Sequence, residues 1–133
     1  MKWENAFQEG FTYDSHSRLI QYLYSRWDDI LEEWTPETME EYLYHAGGQL
    51  RQFTSYSWDF QADDWVGDSR RFFTIDDNGL MVHQDHYLWI DEKNSWVLYY
   101  EEDNTYDIHE LITECTYHFK DMITGAWEWL MRE

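Results

Sequence analysis

Cysteine and proline each occur once in this 133-residue chain, at Cys115 and Pro36. A lone thiol excludes an internal disulfide, and no CxxC spacing is present for metal or redox chemistry. Basic residues are also scarce: 9 Lys and Arg stand against 28 Asp and Glu, a formal net charge of −19. Nucleic-acid binding rests on Lys and Arg displacing counterions from phosphates, so this balance excludes direct binding to DNA or RNA. The same argument of sign excludes anionic membrane surfaces. The longest apolar run, Trp96 to Tyr100, is far short of a membrane span. The stretch Met1-Lys2-Trp3-Glu4-Asn5-Ala6 lacks the apolar segment of a signal peptide. There is no Gly-rich phosphate loop, no GxSxG and no HExxH. The expectation is a cytoplasmic protein that is not an enzyme, with no catalytic residue, no cofactor and no metal.

What the chain has in abundance is aromatic residues: 9 Trp, 11 Tyr and 7 Phe. Disordered chains are poor in them, so this one should fold despite its charge. The length fits a single domain over residues 1–133, with 1–13 as an arm or short strand. No repeat, low-complexity tract or linker is evident along it.

Periodicity predicts an α+β fold: two N-terminal helices, an antiparallel meander of three to four strands, and a long C-terminal helix. Leu19, Leu23, Trp27, Ile30, Leu31 and Trp34 recur at three- and four-residue steps, as on one helix face. Thr35-Pro36 reads as the cap and first position of a second helix, with Met39, Leu43, Ala46 and Leu50 as its stripe. Asn78-Gly79 and Lys93-Asn94 mark hairpins between strands. Asp107 and Glu110 read as a capping box opening a helix through Cys115, Phe119, Met122, Ile123, Ala126 and Leu130. In Tyr87–Ile90 and Trp96–Tyr100 both alternating sets are apolar, which predicts a sheet covered on both faces by helices, a loop or, in a homodimer, a second copy.

Asp28, Asp29, Glu32, Glu33, Glu37, Glu40 and Glu41 crowd residues 28–41 with no base among them. On helices the pairs 28/32, 29/33 and 37/41 would be neighbours facing solvent, at spacings close to those of successive phosphates. Asp63, Asp64, Glu101, Glu102 and Asp103 extend the acidic surface. These twelve residues are the candidate partner-binding set. Trp65, Trp127 and Tyr13 are candidate aromatic anchors at an interface.

Metal and catalytic alternatives are weaker. His83 and His86 flank Asp85, but an extended chain points the two imidazoles to opposite faces. Glu110, Glu114 and His118 would align on a helix without a matching set elsewhere. Cys115 reads as a buried, inert thiol.

The doublets Asp28-Asp29, Glu32-Glu33, Glu40-Glu41, Asp63-Asp64, Asp76-Asp77 and Asp91-Glu92, with the run Glu101-Glu102-Asp103, give the chain a character that resembles acidic nucleic-acid-mimic inhibitors of phages and plasmids, of the anti-restriction and anti-CRISPR type. The resemblance is one of composition and size, without a shared motif. It implies an inhibitor that occludes the nucleic-acid site of a basic nucleic-acid-binding protein or nuclease in the host cytoplasm. An immunity protein against a toxin nuclease would need the same surface physics. An acidic protein of a salt-loving organism, and a small metal protein or enzyme, are further alternatives.

Overall fold

The computed structural model describes the backbone of residues 6–120 and 127–132, and side chains over residues 6–120. It contains no α-helix among the described residues. Nine strands form one antiparallel sheet in strict chain order. They are β1 Phe7–Tyr13, β2 Leu19–Asp28, β3 Glu33–Tyr44, β4 Leu50–Asp59, β5 Asp64–Ile75, β6 Met81–Ile90, β7 Ser95–Tyr106, β8 Ile112–Lys120 and β9 Trp127–Arg132. The expected α+β class, with its two N-terminal helices and C-terminal helix, is therefore wrong. The hairpins at Asn78-Gly79 and Lys93-Asn94 exist, but as two members of a meander that runs from end to end.

The misreading has local physical causes. Leu23 and Trp27 are spaced by four, a step shared by a helix face and by one face of a strand, with Ser25 between them in β2; the bulge at Ile20 turns Leu19 to the opposite face. Pro36 sits beside a bulge in β3, where the pairing passes over Glu37, a position at which a missing N–H is tolerated. Asp107 does bind nearby backbone, but as a turn: its Oδ1 accepts from the His109 N–H at 2.8 Å and the Leu111 N–H at 3.1 Å. An Asx turn and a helix N-cap use the same chemistry. Of the expected C-terminal stripe, Met122, Ile123 and Ala126 lie outside the described residues.

The chain is also a repeat, contrary to the sequence reading. Positions 14, 45, 76 and 107 open equivalent turns in steps of 31 residues (45 − 14 = 31). In each, the N–H of the opening residue donates to the carbonyl four residues on, at Arg18, Gln49, Leu80 and Leu111. The fourth residue always has positive φ: Ser17 61°, Gly48 96°, Gly79 82° and Glu110 63°. Asp14 and Asp76 accept backbone N–H groups just as Asp107 does. Bulges repeat at the same interval, with the register passing over Ile20, Arg51, Val82 and Thr113 near these turns and over Glu37, Asp68 and Tyr99 in mid-strand. Bulges at fixed intervals add twist at fixed intervals.

Among the described residues no second layer covers this sheet, and no hydrophobic side chain is fully buried. Only Ser25, Thr54 and Asn104 reach that state. The covered sheet faces expected from Tyr87–Ile90 and Trp96–Tyr100 are absent; those side chains are half-exposed. Apolar area must then be buried sideways, against neighbouring strands about 4.8 Å apart. Large rings can do this and short aliphatics cannot, which accounts for the aromatic richness. Phe7 stacks on Tyr24 at 5.7 Å, Tyr42 tilts onto Phe53 at 5.2 Å, and Tyr100 lies 4.9 Å from Phe119. Cross-strand aromatic pairs of this kind contribute roughly 0.5–1.5 kcal/mol each beyond their buried area.

Candidate functional site

The connections β2–β3, β4–β5 and β6–β7 all emerge at one end of the strands, two strands or about 10 Å apart. Each springs from a tryptophan pair in direct register: Trp27 with Trp34, Trp58 with Trp65, and Trp89 with Trp96. Ring centroids are 5.3, 5.2 and 5.4 Å apart, edge to face in every case. The intervening loops carry Asp28, Asp29, Glu32 and Glu33, then Asp59, Asp63 and Asp64, then Asp91 and Glu92, with Lys93 the one base among them.

Hydrogen bonds fix the carboxylates at the root of each loop. Asp28 Oδ1 accepts from the Ile30 and Leu31 N–H groups at 2.8 and 3.0 Å, and Asp59 Oδ1 from those of Gln61 and Ala62 at 2.9 and 3.2 Å. The indole N–H groups of Trp27 and Trp89 donate to Asp29 and Asp91, both at 2.9 Å. Glu32 and Asp63 occupy matching loop positions with φ of 53° and 54°. Between the second and third loops lies a cleft of about 530 Å³, walled by Trp58, Trp89 and Phe60 and floored by Gly67. Asp59, Asp68 and Asp91 also line it, with no basic side chain in the lining. Aromatic faces and carboxylates together favour a cation, most of all a guanidinium. The sheet itself makes such contacts: the Arg70 guanidinium lies 4.4 Å from the Trp96 ring centroid, Arg18 lies 5.0 Å from that of Tyr44 and Arg26 5.9 Å from that of Tyr24.

The twelve expected partner-binding residues do not form one surface. Asp28, Asp29, Glu32, Glu33, Asp63 and Asp64 share the rim. Glu37 lies at a mid-strand bulge and pairs with Arg26 at 3.0 Å. Glu40 accepts the Tyr42 hydroxyl, while Glu41 alternates to the opposite face. Glu101 and Asp103 occupy one face of β7 and Glu102 the other. The proposed helical neighbours 28/32, 29/33 and 37/41 are not helical at all; 37 and 41, along a strand, are about 13 Å apart. Trp65 is a member of a pair, Tyr13 is 56 % exposed at the end of β1, and the Trp127 side chain lies outside the described residues. Cys115 is half-exposed, against the expectation of burial. Glu110 is in a turn, apart from Glu114 and His118 on β8. Sequence reading missed the tryptophan pairs, for which the signal was the recurrence of Trp at 27, 58 and 89 and at 34, 65 and 96.

On the other face of the sheet, burial and the nearby Arg71 push His86 down to about 4. Glu102 is held below the usual carboxylate range: burial opposes this, but hydrogen bonds from Tyr100, Asn104 and Gln84 outweigh it. Because His86 stays neutral in the fold and protonates near 6.5 when unfolded, its contribution is intact above about pH 6.5. It is lost as pH falls towards 4, where unfolding is coupled to proton uptake. After discounting for partial exposure, the loss relative to a His86→Gln variant should be about 1 kcal/mol. Urea unfolding of both proteins at pH 7, 5 and 4 measures it; parallel curves would refute it.

No helix among the described residues is long and apolar enough to cross a membrane. No protein-family model matches the chain, and no curated protein matches it. Its fold is similar to solved structures. A protein of unknown function from Bacteroides fragilis has a TM-score of 0.65 at 16% identity, over 98% of this chain and 91% of that one. A DUF3836 family protein from Bacteroides vulgatus has a TM-score of 0.56 at 14% identity, over 69% of this chain and 89% of that one. At these identities the likeness is one of fold alone.

Proposed function

We propose that this chain is a binding module whose acidic, tryptophan-bearing rim receives a basic polypeptide partner. The observation that carries the reading is the cleft in which Trp58 and Trp89 meet Asp59, Asp68 and Asp91 without an internal cation. An arginine or lysine side chain entering it would lie against an indole and pair with a carboxylate. Carboxylates on the neighbouring loops would steer the approach of a positive surface and speed association at low salt. Phosphate-bearing nucleic acid and anionic lipid are disfavoured partners by sign. A single cysteine outside any paired motif is in keeping with a reducing cytoplasm. A basic nucleic-acid-binding protein or a toxin nuclease would be a partner of suitable charge, and occlusion of its nucleic-acid site one consequence of binding; the helical phosphate spacing first offered for that idea has no counterpart in the sheet.

Titration with an arginine-rich peptide, followed by tryptophan fluorescence, should show saturable binding that weakens steeply with salt. Asp59→Asn with Asp91→Asn should weaken it at least tenfold, while Asp14→Asn at the opposite end leaves it unchanged. Charge reversal at Asp28, Asp29, Glu32 and Glu33 should slow association while the sheet persists by circular dichroism. Equal affinity in all three variants would remove the rim from consideration.

A further inference from the structure

A second cluster lies mid-sheet, away from the rim loops. Antiparallel pairing sets His83 opposite Asp103 and Asp85 opposite Glu101 across β6 and β7, and Glu101 opposite His118 across β7 and β8. All five residues therefore share one face. The His83 Nε2 is 2.9 Å from Asp85 Oδ1, and its Nδ1 is 2.7 Å from Asp103 Oδ1. The His118 Nδ1 is 3.5 Å from Glu101 Oε2. One ligand atom from each of His83, Asp85 and Glu101 lies within 4.8 Å of the others, and all three residues are half-buried.

We propose that His83, Asp85 and Glu101 bind a divalent transition-metal ion of the zinc type, with Asp103 as the positioning residue for His83. Zinc takes imidazole nitrogen and carboxylate oxygen as ligands, and a set of three protein ligands leaves a further position available, as in open zinc sites. Ligands about 2.0–2.2 Å from such an ion lie within roughly 3.5 Å of one another, so only small side-chain movements separate the cluster from a coordination shell. A metal-bound imidazole ordinarily donates its other N–H to a carboxylate, which fixes the ring and raises its basicity. The His83–Asp103 bond already does this. The ion would displace the His83–Asp85 contact and neutralise two carboxylates that repel across the β6–β7 pair. His118 stands beside Glu101, able to orient it. Imidazole favours zinc, cobalt or nickel over calcium and magnesium, which prefer all-oxygen shells.

The test uses the whole chain after chelator treatment. Zn(II) titration by calorimetry should give one strong site per chain, and Co(II) should produce visible absorption bands of a low-symmetry nitrogen–oxygen site. His83→Gln and Asp85→Asn should each weaken binding at least tenfold, and Asp103→Asn several-fold. Circular dichroism checks that each variant keeps its sheet, and His16→Ala, in the first turn, should bind as the parent does. Multiple weak sites unaffected by His83→Gln, or no cobalt bands, would mean scattered carboxylate binding and overturn the proposal. Because the rim is not involved, peptide binding stays intact either way.

Discussion

Trp96→Ala should cost the sheet about 3 kcal/mol, because the lost ring is the hub of several contacts that no second layer replaces. Its indole packs edge to face on Trp89, lies under the Arg70 guanidinium, and crosses over Gly67 two strands away. Typical domains are stable by only about 5–15 kcal/mol, so this is a large share of the total. In melting temperature it corresponds to a fall of about 10 °C. The comparison that gives the number meaning is Trp34→Ala, at the equivalent position two repeats earlier, where the ring is 39 % exposed. That substitution should cost about 1 kcal/mol, in line with the smaller area removed from contact. Equal losses at the two positions would show that the Trp96 contacts contribute nothing beyond the pairing of the strands.

Gly67→Val addresses the same joint from the other side. A Cβ at Gly67 would come within 2.6 Å of the Trp96 ring and 3.4 Å of the Trp89 Cβ. The ring must swing away and abandon Trp89 and Arg70, or β5 must shift against its partners. Overpacking of this kind costs about 1–3 kcal/mol, and valine should fall at the upper end. The diagnostic is coupling. In a Trp96→Ala background the obstacle is gone, valine suits a strand, and Gly67→Val should become neutral or favourable. A double-mutant cycle by urea unfolding should therefore show a coupling above about 1 kcal/mol. Additive losses would mean that Gly67 serves the backbone and not the ring above it.

Legibility followed the distinctness of each local signal. Asn78-Gly79 was readable because a glycine with positive φ between strands has few other uses. Leu23 and Trp27 were not, since a spacing of four satisfies both periods and only Ser25 between them could have decided. The capping-box reading of Asp107 and Glu110 failed for a related reason: a carboxylate accepting nearby backbone N–H groups starts a helix or closes a hairpin equally well. The scarcity of bases identified acid as the surface chemistry. It could not distribute Glu101, Glu102 and Asp103 between two faces, because that needs the strand assignment first. The tryptophan pairs were invisible to composition; they are a positional signal, seen only when residues 31 apart are aligned.

Three tryptophan-flanked loops on a common end, at a common pitch, have a consequence for how the molecule would hold a long partner. Under the proposed reading, each loop alone would offer a contact that water and salt can compete away. Once one is engaged, the next faces its own target at millimolar effective concentration, so dwell time multiplies with the number of loops in use. Residence would thus be set by counting repeats, and a ligand too short to reach a second loop would come and go as though the others did not exist.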